Sequence, residues 1–550
     1  MDFVLALHSH LPYVLNHGRW PHGSDWLCEA ALDTYLPLLE QLDALAAEGT
    51  PAPVTIGFTP VLANQLVSPT FQRELEAFFA QRIGACDEAP ASLATTGDQP
   101  LLPLVRFWRE RLERLQKKFR AIDGNLVAAF RRLQEQGRLE IIGSAATHGY
   151  LPLLARDESI RLQLAVGRDE HRRLFGAPAA GCWLPECAYR GSVKRRPGIE
   201  QHLARAGFRY FFTDAHLARA GTPLGAYEDI PLGAERFDAE RHDDPRAPGR
   251  RRPLHSPYQA YRVSKRAKGA GVVAALVRDP RSSMQVWSRH QGYPGDASYL
   301  EFHKIRWPGG LKLWRVTGAD VDLGAKRPYD PAAALGRVRD HAGHFVGLLD
   351  QIGSEHAKEK GGVIVAPFDT ELYGHWWFEG PDFLADTYRG LKGRAGVHAV
   401  TGSGHLAAHP PRTALQLAEG SWGANGDHSM WLNPGTKWTW TRLHRFEQSF
   451  WDAAPEALRS EAARPILAQA ARELLLAQAS DWQFIISTGA VVDYAERRFT
   501  QHCDDGEGLL QALGGDAARL ASARVTALAL GRRDDLFPDV LAQVAEALAG

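Results

Sequence analysis

The stretch FVLALH, residues 3–8, is the first of seven short apolar runs that decide the fold. The runs are rich in β-branched and aromatic residues, and longer segments with helical spacing follow them. Apolar strands that are buried on both faces and alternate with helices are typical of a parallel sheet. The sequence therefore predicts an α/β fold in which βα units close into a barrel. The other six runs are VTIGF (54–58), LEIIGS (139–144), GCWLPE (181–186), FRYFFTD (208–214), GVVAALVRD (271–279) and GVIVAPFD (362–369).

Helical and charged segments interrupt or follow these runs. In LVRFWRERLERLQKKFRAIDGNLVAAFRRLQEQG (104–137), leucine and phenylalanine recur every three or four residues, which predicts amphipathic helices in an insertion at about residues 70–136. The charged, proline-rich segment at 233–257 predicts a mobile loop region at about 218–262. Strand-like runs end near residue 410. We therefore expect a catalytic barrel over 1–410 and a C-terminal all-helical domain over 411–550, with Trp-rich loops that contribute to the substrate cleft.

The composition excludes several classes of protein. Lys+Arg and Asp+Glu both number 64, so no net field draws the chain to nucleic acid or to an anionic membrane. No apolar run approaches the roughly 18 to 20 residues of a membrane span, and no basic segment precedes the first short run as it would in a signal peptide. Five cysteines, a sparse number, favour a reducing compartment. We expect a cytoplasmic protein with a neutral partner, and we assume a monomer.

Polar side chains stand at the ends of the predicted strands. Reactive groups gather at the carboxyl ends of parallel strands, where the connecting loops converge. Taken singly, each of these residues also suits a structural role, but together their side chains would face the same end of the predicted barrel. They are His8, His10, His148, Glu186, Asp214 and Asp369.

Glu186 and Asp369 are carboxylates at different strand ends, and they suit acid and base chemistry. Glycosyl transfer with retention needs one carboxylate as nucleophile and one carboxylic acid for the leaving oxygen, about 5–5.5 Å apart. Asp369 would have to start protonated, so we expect burial and the charge of Glu186 to raise its pKa above about 3.9. The chain also has 15 tryptophans, several of them in the loop-like stretch 421–440. Exposed indole rings of this kind favour stacking on the C–H face of a sugar.

Two other classes of function remain open from the residues alone. His8 and His10, with His148 and Asp369 at later strand ends, offer the ligand types of a metal-dependent hydrolase, whose activity EDTA would abolish. A non-catalytic glucan-binding protein would bind amylose without changing any linkage, and the presence of both carboxylates argues against it. The carboxylate pair itself requires no metal and no organic cofactor.

The chain resembles glycoside hydrolase family 57, and within it the 1,4-α-glucan branching enzymes. The resemblance rests on ordered stretches that span most of the sequence. These are LHSHLPYV (7–14), GRLEIIGSAATHGYLPLL (137–154), GCWLPECAY (181–189), QVWSRHQGYPGD (285–296), APFDTELYGHWWFEG (366–380) and LLLAQASDWQFIISTG (474–489).

The resemblance implies a role for particular residues. Glu186 matches the nucleophile of the family, and Asp369 matches its general acid/base. The remaining matches are to sugar-contacting or motif positions, namely His10, His148, Trp287, Trp377, Trp422, Trp431 and Asp481. The implied fold is a (β/α)7 barrel, an incomplete TIM-like barrel, with a C-terminal helical domain.

The implied activity is that of a retaining branching enzyme of glycogen biosynthesis, acting on α-glucan such as amylose or glycogen. An α-amylase or a 4-α-glucanotransferase of the same family is the alternative. Branching enzymes of the family carry a tyrosine on a loop over the site that favours transfer over hydrolysis. In this chain the corresponding region contains the charged segment, and Tyr227, Tyr258 and Tyr261 all compete for that role.

Overall fold

The structure is a computed structural model that describes residues 1–19, 22–194, 196–224, 255–263, 273–288 and 292–550. Ten strands in these ranges form one sheet. They are β1 (Asp2–Ser9), β2 (Thr55–Phe58), β3 (Glu140–Ser144), β4 (Gly181–Trp183), β5 (Tyr210–Thr213), β6 (Ala260–Val263), β7 (Val273–Val277), β8 (Val363–Asp369), β9 (His398–Ala399) and β10 (Ala414–Leu415).

Seven parallel strands of the described chain make the central sheet, in the order β7-β5-β4-β3-β2-β1-β8. Each lies within, or within one residue of, one of the seven apolar runs. The two ends of this sheet meet where the backbone N–H of Asp279 donates to the carbonyl of Val365 at 2.8 Å. The sheet therefore curls into an incomplete barrel, which confirms the predicted (β/α)7 fold.

Alternate residues of β1 show why the runs are continuously apolar. Phe3, Leu5 and Leu7 belong to the large core between the sheet and its helices. Val4 and Ala6 point to the other face, into a smaller cluster inside the barrel. Since both faces of the strand are buried, neither set of positions tolerates polar residues.

The helices follow the strands as βα units and as additions to them. The first part of the chain has α1 (Ser24–Ala30), α2 (Leu36–Ala47), α3 (Pro60–Leu66), α4 (Pro69–Thr96), α5 (Leu102–Ala121), α6 (Leu126–Glu135), α7 (Asp157–Phe175) and α8 (Ile199–Arg205). The middle has α9 (Pro280–Trp287), α10 (Pro331–Glu355), α11 (Gly380–Leu391) and α12 (Gly402–Ala408). The C-terminal region has α13 (Lys437–Ala457), α14 (Arg464–Ala477), α15 (Asp481–Thr488), α16 (Val492–Leu513), α17 (Ala517–Arg533) and α18 (Val540–Ala549).

Edge strands depart from the sequence prediction. β6 pairs antiparallel with β7, and β10 pairs with β6. β6 begins inside the predicted mobile region 218–262, which therefore ends in ordered structure, whereas residues 225–254 lie outside the described ranges. β10 lies beyond residue 410, where no strand was predicted, because two residues give no periodic signal.

The C-terminal helices lie over the carboxyl ends of the barrel strands. The backbone N–H of Ser480 donates to the carbonyl of His148 at 3.1 Å, and Gly149 and Ala479 form an antiparallel bridge. Arg498 on α16 donates to the carbonyl of Tyr13, which follows β1, at 2.7 Å. Within the described ranges, none of the helices combines the length and hydrophobicity that a membrane crossing requires.

Candidate active site

A cavity of about 520 Å³ lies where the carboxyl ends of the barrel strands face the C-terminal helices. Its wall combines strand-end residues of the barrel with residues of the Trp-rich stretch and of α15. Eight of the nine predicted site residues line it. They are Glu186, Asp369, His10, His148, Trp287, Trp422, Trp431 and Asp481.

Glu186 sits on a short turn three residues beyond the end of β4. Its backbone is left-handed, with φ 59° and ψ 21°, and Cys187 follows with φ 49°. A residue with a Cβ atom pays roughly 1–2 kcal/mol for this conformation, so it persists only where its surroundings hold it. Here the backbone N–H of Trp422 donates to the Glu186 carbonyl at 3.1 Å. The strained turn directs the carboxylate into the cavity.

Both carboxylate oxygens of Glu186 accept a hydrogen bond from the C-terminal region. The indole N–H of Trp422 donates to Oε2 at 2.9 Å, and the hydroxyl of Ser480 donates to Oε1 at 2.9 Å. Burial raises the pKa of Glu186 to about 7, and these two hydrogen bonds oppose the rise because they favour the ionised form. Near neutral pH the group is therefore divided between carboxylate and carboxylic acid.

Asp369 is the last residue of β8 and lies in register with His8 of β1. Burial raises its pKa well above the usual range, and the charges of Glu371 and Glu186 raise it further, while Arg278 opposes them. The direction agrees with the sequence prediction. Burial thus raises the pKa of both candidate catalytic carboxyl groups.

Three histidines form a stacked array beside these carboxyl groups. The rings of His10 and His148 lie 4.0 Å apart, and those of His8 and His148 lie 4.8 Å apart. His8 and His148 share a hydrogen bond between their Nε2 atoms at 2.9 Å, and Nδ1 of His148 lies 2.8 Å from Ser480 Oγ. His10 contacts Asp481 through Nε2 at 2.9 Å. Burial lowers the pKa of His8 and His148 well below the usual range, so both are neutral.

The predicted metal alternative requires ring nitrogens that are available to an ion. Both ring nitrogens of His148 are engaged, by His8 and Ser480, and both of His10 are engaged, by Thr59 and Asp481. The carboxylate beside these two rings is that of Asp481, not the Asp369 that the metal alternative required. His10, His148 and Asp481 bring three potential ligand atoms within 4.8 Å of one another, with Asp481 in the place of Asp369, but hydrogen bonds within the protein already engage the ring nitrogens of both histidines.

One predicted tryptophan is placed elsewhere. Trp377 is only 1% exposed and packs against Phe383 and other aromatic residues of the core, so it does not reach the cavity. Its neighbour Trp376 is 41% exposed and lines the cavity instead. Trp376 therefore stands at the cavity in the place predicted for Trp377, because the motif match alone does not tell which of two adjacent rings faces the core.

Two of the three competing tyrosines are structural. The hydroxyl of Tyr258 donates to Asp279 at the start of α9 at 3.0 Å, and that of Tyr261 donates to the carbonyl of Ser256 at 2.7 Å. Both rings are buried, and neither lines the cavity. Tyr227 lies outside the described residues.

Several residues of the site were not predicted, and three of them act on the two candidate catalytic carboxyl groups. Ser480 contacts Glu186, and the Asp-Thr-Glu spacing after β8 brings Glu371 to the cavity wall beside Asp369. Arg278 follows β7, lines the cavity and lies over the ring of Trp422 at 5.6 Å. Glu371 and Arg278 stand at strand ends and were accessible to the strand-end argument. Ser480 carries no such signal, because it comes from the helical region.

This arrangement suits displacement at a sugar carbon. A carboxylate that is held by two donors offers a nucleophile, and a protonated carboxylic acid in the same cavity offers a proton to a leaving oxygen. Aromatic walls from Trp287, Trp422 and Trp376 offer flat apolar surfaces to pyranose rings.

Comparisons with known proteins agree with this geometry. Residues 4–418 match the model of glycosyl hydrolase family 57, and residues 442–544 match the C-terminal domain of 1,4-α-glucan branching enzymes. The 1,4-α-glucan branching enzyme of Thermococcus kodakarensis is 39% identical over 515 residues, which cover 91% of this chain and 72% of that protein.

Solved structures show the same relationship. A GH57-type branching enzyme of Pyrococcus horikoshii superimposes with a TM-score of 0.86 at 37% identity, covering 99% of this chain and 96% of its own. An α-amylase of Thermotoga maritima superimposes with a TM-score of 0.81 at 28% identity, covering 98% of this chain and 99% of its own. The barrel, the carboxyl pair and these matches over nearly the whole length agree, and the chain belongs to glycoside hydrolase family 57.

Proposed function

We propose that this protein is a retaining 1,4-α-glucan branching enzyme. The observation that carries the proposal is the pairing of Glu186 and Asp369 in one buried cavity whose far wall belongs to the region that matches the branching-enzyme C-terminal domain. The relatives that are named as branching enzymes support the choice of α-glucan as substrate.

In the proposed mechanism, Glu186 attacks the anomeric carbon of an α-1,4-linked glucosyl unit. The glycosidic C–O bond breaks, and Asp369 gives its proton to the leaving oxygen. The donor segment remains bound to Glu186 as a glycosyl ester. Asp369, now ionised, takes the proton from the 6-hydroxyl of an acceptor chain. That oxygen attacks the anomeric carbon, which releases Glu186 and creates an α-1,6 branch.

The ionisation of the two carboxyl groups supports this division of roles. The charge of Glu186 helps to keep the proton on Asp369 before the first step. Ester formation removes that charge, so the pKa of Asp369 falls as the group becomes a base. His10, His148, Trp287, Trp422, Trp431 and Asp481 are proposed substrate contacts, and Trp376 takes the place of Trp377 among them.

We also place the activity in glycogen synthesis in the cytoplasm. All five cysteines lie in the described ranges as free, buried thiols, which supports a reducing compartment. The boundary between a barrel over 1–410 and a helical domain over 411–550 remains part of the proposal.

Proton NMR of amylose incubated with the protein tests the reaction. A branching enzyme increases the α-1,6 anomeric signal with few new reducing ends, because water is kept from the glycosyl ester. Reducing ends without an α-1,6 signal would instead establish an α-amylase, the function that the similarity to the Thermotoga maritima enzyme favours as second candidate. The Glu186→Gln variant should show neither product, and full activity of that variant would remove Glu186 from the mechanism.

A further inference from the structure

The hydrogen bonds on Glu186 continue away from the cavity through buried groups. Ser480 is fully buried, donates to Glu186 Oε1 and lies 2.8 Å from Nδ1 of His148. Nε2 of His148 lies 2.9 Å from Nε2 of His8, which is also buried. One continuous path of hydrogen bonds thus joins Glu186, Ser480, His148 and His8. These side chains belong to β4, α15, β3 and β1 or to the turns next to them.

Elementary hydrogen-bond chemistry sets the direction of this path. An ionised carboxylate only accepts, so the one hydroxyl proton of Ser480 points at Glu186. Ser480 Oγ must then accept from Nδ1–H of His148. A neutral imidazole with its proton on Nδ1 accepts at Nε2, so Nε2–H of His8 is the donor to His148.

The surroundings of Nδ1 of His8 are consistent with this direction. It leaves Nδ1 of His8 without a proton, and that atom is buried with no hydrogen-bond partner among the described residues. The opposite direction would leave a buried N–H at this atom without a partner, and such orphaned donors are rarer in proteins than unpaired acceptors. The path therefore has one consistent set of proton positions when Glu186 is ionised.

We propose that Ser480 is a positioning residue whose hydroxyl is the last donor of a chain, His8–His148–Ser480, that keeps the Glu186 carboxylate ionised and oriented for attack. The proposal rests on the proposed nucleophilic role of Glu186. The backbone holds Ser480 in place, because its N–H donates to the His148 carbonyl at 3.1 Å. The same contact fixes the spacing between the second and third members of the chain.

Other charged or titratable groups also act on Glu186. In the described chain, these are Asp481 on α15, His10 after β1, Asp369 at the end of β8, Tyr150 and His148 after β3, and Cys187 beside it. A substitution at Ser480 leaves every one of these side chains in the protein. A change in the ionisation of Glu186 then reports the lost hydroxyl.

The test compares Ser480→Ala with Ser487→Ala on α-maltosyl fluoride. Fluoride leaves without a proton when the C–F bond breaks and the bond to Glu186 forms, so this step does not need the acid form of Asp369. The pH dependence of kcat/KM for fluoride release therefore follows the ionisation of Glu186 in the free enzyme. Ser487 is the matched control, because it lies on α15 and its hydroxyl accepts one hydrogen bond, from Asn433, where that of Ser480 donates to Glu186.

We expect the acid limb of Ser480→Ala to move to higher pH by about one unit. At pH values below the limb, kcat/KM for fluoride release should then be about tenfold lower than in the wild type. Ser487→Ala should keep the wild-type limb. Ser480→Cys, which has a similar size but a weaker donor, should move the limb in the same direction and serves if the alanine variant does not fold. A limb that coincides with the wild type in a folded Ser480 variant would overturn the proposal.

The outcomes separate this proposal from the proposed function. A wild-type protein that releases fluoride but forms no α-1,6 branches would overturn the proposed branching function and leave the Ser480 test valid. An inactive Glu186→Gln variant together with an unmoved limb in Ser480→Ala would overturn the role of Ser480 alone.

Discussion

Replacing Arg278 by Met removes a buried cation that acts on two carboxyl groups. Arg278 and Asp214 are 2% and 1% exposed, and their Nη1 and Oδ2 atoms lie 3.1 Å apart. Burial alone would raise the pKa of Asp214, but His216 and Arg278 hold it below its usual range. Arg278 also lowers the pKa of Asp369. The substitution should therefore affect stability through Asp214 and catalysis through Asp369.

The size of the stability effect follows from the geometry. Two charges 3.1 Å apart attract by roughly 5 kcal/mol at an effective dielectric constant of about 20. Removing one partner of a buried ion pair costs about 3–5 kcal/mol, because the other charge stays buried. A chain of 550 residues unfolds with an entropy of about 1.2 kcal/mol per kelvin. Arg278→Met should therefore lower the Tm by about 3–4 °C.

A double variant separates the two effects. Adding Asp214→Asn removes the unpaired charge and keeps an Oδ1 acceptor for the N–H of Ala215, so at least half of the lost Tm should return. The pKa of Asp369 rises in both variants, so the basic limb of kcat/KM on amylose should move to higher pH in both. Differential scanning calorimetry and a pH–rate profile measure the two quantities. A double variant as unstable as Arg278→Met, or an unmoved basic limb, would refute this reasoning.

Three further predictions concern pH and the aromatic pair. On amylose the wild type should show an acid limb near pH 7, where Glu186 ionises, and a separate basic limb, where Asp369 loses its proton. Flat activity from pH 4 to 9 would contradict both assignments. Trp376→Ala should raise KM with little change in Tm, because this ring lines the cavity. Trp377→Ala should lower the Tm by about 3–4 °C through lost core packing. The reverse pattern in kinetics and calorimetry would contradict the placement of the two rings. Burial raises the pKa of Glu379 to about 7, so its contribution to stability is present below about pH 4.5 and is lost as pH rises through 7. Glu379→Gln should reduce the change in Tm between about pH 4.5 and 7 by about 3 °C. An unchanged slope of Tm against pH would show that burial does not disfavour the charged form of Glu379.

The central sheet was predictable because burial on both faces leaves a direct trace in the sequence. A strand such as β8 reads as an uninterrupted apolar run that ends at the first polar residue, Asp369, so the run identifies both the strand and a site residue. β10 has only two residues, and β6, although largely buried, has the sequence AYRV, in which Arg262 interrupts the apolar pattern. Their positions depend on tertiary pairing.

The partners of Glu186 were harder to predict, because they are distant in sequence. Ser480 lies 294 residues away, and its role depends on how α15 docks on the turn that carries His148. Similar reasoning applies to Trp377, since both rings of the pair have the same motif context and only packing decides which is buried. Tertiary packing therefore decides the placement of side chains that local sequence patterns do not predict.

The donors to Glu186 also bear on how such an enzyme can be recombined. Both Trp422 and Ser480 lie beyond residue 418, where the match to the catalytic family ends. Exchanging the helical region between relatives would thus replace the groups that tune the nucleophile, along with the surface that faces the glucan. Such an exchange would then change product specificity and the strength of the nucleophile together. A chimera joined near residue 418 should function only when its new helical region supplies equivalent donors at both positions.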